Sequence, residues 1–89
     1  MRAIITVIGT DQKGIIAKVG TCLYQHEINV LDITQTLLQE IFTMVMLVDI
    51  TDCTISFEAL QGKLSELGDS MGLSIRIQSE EIFNAMHKI

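Results

Sequence analysis

Hydrophobic and polar positions change their period along the chain in a definite order. From Arg2 to Ile8 apolar residues fall on both parities, Ile4 and Ile8 on one and Ala3, Ile5 and Val7 on the other. That is the mark of a strand buried on both faces and therefore central in its sheet. A polar turn follows and ends in Gly14. From Gly14 to about Gln25, Ile15, Ile16, Val19, Cys22 and Leu23 recur at helical spacing opposite Lys18 and Gln25. Gly20 inside this helix costs roughly 1 kcal/mol relative to Ala, which a close helix–sheet or helix–helix approach would explain. Ile28 to Gln39 reads as a second strand whose apolar parity slips between Val30 and Leu31, the signature of a bulge. Glu40 and Ile41 make a tight connection to a third strand, Phe42 to Ile50, where Phe42, Met44, Met46, Val48 and Ile50 form one unbroken apolar face.

After a polar loop from Thr51 to Thr54, Ser56 is placed to cap a second helix, with Glu58 in its first turn. Phe57, Leu60, Leu64, Leu67 and Met71 keep helical spacing, and Gly72 suits the position just past the helix end. Leu73, Ile75 and Ile77 alternate with Ser74, Arg76 and Gln78 as in a half-exposed edge strand, and Glu80 to Lys88 reads as a short terminal helix. The order predicts an α+β fold, a ferredoxin-like βαββαβ sandwich. A four-stranded antiparallel sheet carries two helices on one face, with a short C-terminal helix in addition. Only that terminal helix is available locally to cover the other face, although Val45, Leu47 and one face of strand one are apolar there, so a partner subunit is the economical cover.

The 89 residues make a single domain spanning 1–89. With 48% hydrophobic residues and a mean hydropathy of +0.42, the chain has more apolar content than one small core absorbs, again pointing to self-association. The net charge is −5, and the six basic residues are scattered. This excludes the concentrated basic footprint that nucleic-acid or anionic-membrane binding needs. Cys22 and Cys53 are 31 residues apart with no CxxC and no His at metal-ligand spacing, so no metal site and no cofactor are expected. With no membrane-span or leader pattern, a cytoplasmic protein with two reduced thiols is expected.

The chemistry gathers in Val7-Ile-Gly-Thr-Asp-Gln-Lys-Gly-Ile-Ile16 and Ile28-Asn-Val30. These segments predict a glycine turn, a helix N-terminus and the amide of Asn29 near one another at one end of the sheet. Such a corner would hold a small anion on unpaired N–H groups and the helix dipole. Asp11 has two readings, partner for a ligand ammonium or cap for the first helix. Asn29 likewise is a ligand or interface contact, or a turn residue. Asp32 and Gln35 read as ordinary polar strand positions. His26 sits where a helix C-terminus favours a cation. Glu80 and Glu81 suit the start of the terminal helix, His87 has no catalytic pattern around it, and the methionines read as core or interface filler. No catalytic residues are predicted. A phosphate-binding arginine loop of the acylphosphatase kind is absent, because the turn carries Lys13 and no arginine, and a metal chaperone of this fold would need CxxC there.

The ordered motifs Val7-x-Gly9-x-Asp11-x-x-Gly14-Ile15, Ala17-x-Val19, Leu23 and Asn29-Val30-x-Asp32-Ile33 resemble an ACT domain, and the resemblance covers essentially the whole chain. The closing Ile82-Phe-Asn-Ala-Met-His-Lys-Ile89 is similar to the ending of a family of free-standing single-ACT proteins. Those are similar in turn to the ACT repeats of the glycine cleavage regulatory protein. The resemblance implies a regulatory module, not an enzyme, that forms a homodimer and binds a small ligand, often an amino acid, at the dimer interface. By this likeness the contacts are Asp11, Gln12, Lys13, Gly14 and Ile15 in the turn, and Asn29. Some serine-binding relatives carry a His in that turn where Gly9 is the nearest equivalent here, which speaks against serine recognition of that type. With no further domain attached, a target protein would be regulated in trans. The alternative is a ligand-independent protein–protein interaction module of the same fold. A continuous sheet across two edges and a face-to-face pairing are both compatible with the pattern.

Overall fold

The computed structural model describes residues 1–87, apart from the side chains of Met86 and His87. The expected end of the terminal helix at Lys88, and the readings of Met86 and His87 as filler and non-catalytic, therefore lie outside the described residues. The element order is β1 (Arg2–Thr10), α1 (Ile15–Gln25), β2 (Asn29–Leu38), β3 (Ile41–Asp49), α2 (Phe57–Met71), β4 (Ser74–Ser79) and α3 (Glu80–His87). The four strands form one antiparallel sheet in the order β2-β3-β1-β4, the ferredoxin-like sandwich that the pattern predicts. As its two apolar parities require, β1 lies inside the sheet, with β4 at one edge and β2 at the other.

One sheet face meets α1 and α2. Ala3, Ile5 and Val7 of β1, Phe42, Met44, Met46 and Val48 of β3, and Ile75 and Ile77 of β4 point there. They pack with Ile15, Val19 and Leu23 of α1 and Leu60, Leu64 and Met71 of α2 in one cluster. The helix stripes are narrower than expected, since Ile16 faces solvent and Cys22, Phe57 and Leu67 are only half-buried. On the opposite face, Ile4, Thr6, Val45 and Leu47 are half-buried and Ile8 is exposed. α3 packs against β1 and β4, and Arg2 pairs with Glu80 at its start at 2.6 Å.

Helix ends are set by backbone chemistry. Ser56 Oγ accepts from the Ala59 N–H at 3.1 Å, the cap expected for α2. At the other end Gly72 has φ +69°, and the Leu73 N–H donates to the Gly68 carbonyl at 2.8 Å. α1 closes in the same way without a glycine. Glu27 takes φ +60°, and the Ile28 N–H donates to the Leu23 carbonyl at 3.0 Å. The β2–β3 hairpin turns on Gln39 and Glu40, with Gln39 at φ +56°, one residue earlier than expected, and Ile41 belongs to β3. The bulge is where the parity slip puts it, because Val30 pairs with Val48, Asp32 with Leu47, and Leu31 is the extra residue.

The expectation for Gly20 fails. A Cβ there would meet nothing within 4 Å, so no close packing requires this glycine. Close approach occurs instead at Gly68, where a Cβ would lie 2.6 Å from the Leu73 carbonyl oxygen. The exposure of β2 is a feature the pattern did not locate. All ten of its residues are exposed, because neither main helix reaches over that edge. The bulge leaves Val30, Ile33 and Leu37 on the helix side of the sheet, uncovered.

Candidate functional site

The turn from Asp11 to Gly14 leaves the top of β1 and delivers the chain to α1. The Asp11 N–H donates to the Glu40 carbonyl at 2.9 Å, tying the turn to the β2–β3 hairpin. Gln12 Nε2 donates to the Met71 carbonyl at 2.7 Å, tying it to the end of α2. Gly14 is the N-cap of α1 at φ +88°, and no side chain caps this helix. The reading of Asp11 as a cap is therefore overturned, because the left-handed glycine occupies the capping position and Asp11 lies three residues upstream. With no side-chain acceptor at this end, the first-turn N–H groups remain available to an anion. Asp11, Gln12, Lys13 and Gly14 are all exposed, whereas Ile15 is buried under the helix start.

Asn29 is not part of this corner. In the strand register Thr10 pairs with Ile41 and Leu38 with Ile41, whereas Arg2 pairs with Asp49 and Asn29 with Asp49. The turn and Asn29 thus sit at opposite ends of the sheet. Eight residues of strand separate the two rows, roughly 27 Å at about 3.3–3.4 Å per residue. The physical reason is elementary: α1 runs back down the sheet, so β2 opens where β1 began. Within one chain the predicted convergence of turn and amide does not occur.

The Asn29 end has its own polar cluster. The Thr51 N–H and hydroxyl donate to Asp49 Oδ1 at 2.9 and 2.6 Å, and the Met1 ammonium lies 3.7 Å from the same oxygen. The Thr51 hydrogen bonds, aided by that ammonium, hold the Asp49 carboxyl below the usual carboxylate range. The side chain of Asp32 is spent locally, its Oδ1 accepting from the Ile33 N–H at 2.8 Å. His26 caps the end of α1, and its Nδ1 lies 3.3 Å from Thr54 Oγ1. Among the described residues, no three or more His, Cys, Asp or Glu gather as a metal site, and no helix is long and apolar enough to cross a membrane.

The feature missing from the sequence reading is the exposed apolar rim of β2. Leu37 and Leu38 are 57% and 71% exposed, Ile41 beside them is 55% exposed, and Tyr24 of α1 reaches 81%. The hydropathy surplus signalled such surface without locating it.

Residues 2–78 match the family model described as the ACT domain. A UPF0237 protein of Clostridium acetobutylicum is 51% identical over 89 residues, covering all of both chains. The solved structure of an ACT domain protein from Streptococcus pneumoniae is 40% identical, with a TM-score of 0.81 over 93% of each chain. A structure assigned as a glycine cleavage system transcriptional repressor has a TM-score of 0.72 at 24% identity, over 86% of this chain and 44% of that one. That last likeness is one of fold.

Proposed function

This chain belongs to the ACT domain family, and from that premise we propose that it is a regulatory module. It works as a homodimer, binds a small ligand of the amino-acid class at the dimer interface and controls a target protein in trans. The observation that carries the dimer is β2. β2 is a ten-residue edge strand whose outer side meets no strand among the described residues, with exposed apolar side chains on both faces. An edge of that length left open is a template for another strand. Pairing β2 with the β2 of a second copy about a two-fold axis makes a continuous eight-stranded sheet.

That pairing is antiparallel, so it sets the Leu38 end of one chain beside the Asn29 end of the other. The strand-axis separation that divides the turn from Asn29 within one chain is cancelled across the axis. The turn N–H groups at Gly14 and the partner's Asn29 then bracket a ligand carboxylate, and Asp11 is placed for its ammonium. The full-length match to the Clostridium acetobutylicum chain supports action as a free-standing module.

The test is thermal unfolding of the purified protein against the twenty amino acids one at a time, followed by calorimetry on any that shift it. A ligand at about 100 times its Kd stabilises by roughly 2.7 kcal/mol, ample for a visible shift in a domain of this size. Asn29→Ala abolishes that shift without loss of fold; unchanged affinity in the variant would sink this placement of the ligand. The same β2 rim favours a second reading, a ligand-independent module whose edge docks on a target protein. No shift from any amino acid, together with a target captured regardless of metabolite, selects it.

A further inference from the structure

Away from the β1–α1 turn, α1 and α2 leave a groove of about 440 Å³ between their exposed sides. Ala17, Cys22 and Leu67 give it apolar surface, Thr21 and Gln25 neutral polar groups, and Lys18, Lys63 and His26 basic ones; Cys22 and Leu67 are half-buried and both lysines exposed. The chain has six lysines and arginines against eleven carboxylates, yet two of those six and one of its two histidines meet here. No carboxylate lines the groove, and among the described residues neither lysine is ion-paired. The Leu23 and Tyr24 carbonyls at the end of α1 are taken by backbone N–H groups of residues 26–28. Lys63 lies close enough to Cys22 for its charge to favour the thiolate, against a larger opposing effect of burial. Lys63 of α2 and Cys22 of α1 line the same groove. The contact of His26 Nδ1 with Thr54 leaves Nε2 free of that contact.

We propose that this groove is a second ligand site, for a small organic anion whose carboxylate or phosphate lies between Lys18 and Lys63 with His26 alongside. A short apolar tail rests on Ala17, Cys22 and Leu67. The volume falls in the range of small-molecule sites, and a few basic groups beside apolar side chains suit a small amphipathic anion. The site is separate from the turn and from Asn29 and requires no second copy.

The test is an NMR titration of the full chain with hexanoate and with n-butyl phosphate, using hexan-1-ol as the uncharged control. Saturable shifts at the amides of Lys18, Cys22, His26, Lys63 and Leu67 are expected from either anion. Binding weakens roughly tenfold in the Lys18→Gln/Lys63→Gln variant and for the alcohol, as the loss of two solvent-screened ion pairs implies. Occupancy also slows alkylation of Cys22 by iodoacetamide in a Cys53→Ser background. Shifts that never saturate, that persist undiminished in the double variant, or that fall on Gly14 and Ile15 instead would overturn the assignment. Asn29→Ala leaves the groove intact, so this site and the interfacial one fail or stand independently.

Discussion

Gly14 and Gly20 show how one residue type carries opposite constraints within a single helix. Gly14 has φ +88° and open space around its Cβ position, so its requirement is purely torsional. Gly20 has helical backbone and equally open space, so nothing in the chain requires it. Urea unfolding should show Gly14→Ala destabilised by about 1–2 kcal/mol through left-handed strain, and Gly20→Ala stabilised by about 0.5–1 kcal/mol through helix propensity. A loss at Gly20 would mean that its surface is occupied by something else. Asp49 contributes an acid dependence to stability. Its folded carboxyl is held below the usual range by Thr51 and the N-terminal ammonium. The contribution is therefore complete above the ordinary carboxylate pKa and is lost as pH falls through that value to the lowered folded one. Melting temperatures of the parent and Asp49→Asn should differ at neutral pH and converge under acid.

At the scale of elements, β2 is where composition, pattern and topology disagree most usefully. A strand with Val30, Ile33 and Leu37 on one side and Thr34, Thr36 and Leu38 on the other would be unremarkable inside a sheet. Here it forms the rim, with no helix above it. Ile33→Lys places a charge on the rim next to the proposed two-fold axis, where each substitution counts twice. Light scattering should report a monomer with the far-ultraviolet spectrum retained; a dimer that survives this change would move the interface to the half-buried outer face of β1 and β3. Much of this was legible beforehand. The parity slip located the bulge, Ser56 and Gly72 located the ends of α2, and the two-sided apolarity of Arg2–Ile8 placed β1 inside. What escaped has physical causes. Gln39 adopts positive φ without being glycine, so no residue type announced the hairpin's position, whereas the end of α1 falls at Gln25 as the pattern placed it. Periodicity reports which side of an element is apolar, not whether a neighbour is long enough to cover it, and so Ile16 was placed in the buried stripe of α1 and the uncovered apolar residues of β2 were not located, whereas Asp32 and Gln35 are exposed as expected.

The whole molecule reduces to a polarity. Its top holds the Gly14 turn, the hairpin and the end of α2; its bottom holds Asn29, Asp49 and the chain's amino group. Sequence proximity hid this, because Gly14 and Asn29 are joined by a single helix and read as neighbours. The crossover rule alone would have separated them, since a helix returns the chain to the end it left. On the proposed assembly the roughly 27 Å between those ends has a consequence for regulation. A ligand that needs both cannot be bound by an isolated chain, so effector affinity and self-association become a single linked equilibrium. Dilute protein would be deaf to its effector, and abundant protein would respond at lower effector levels. The module would thus report the product of two quantities, the concentration of a metabolite and its own copy number.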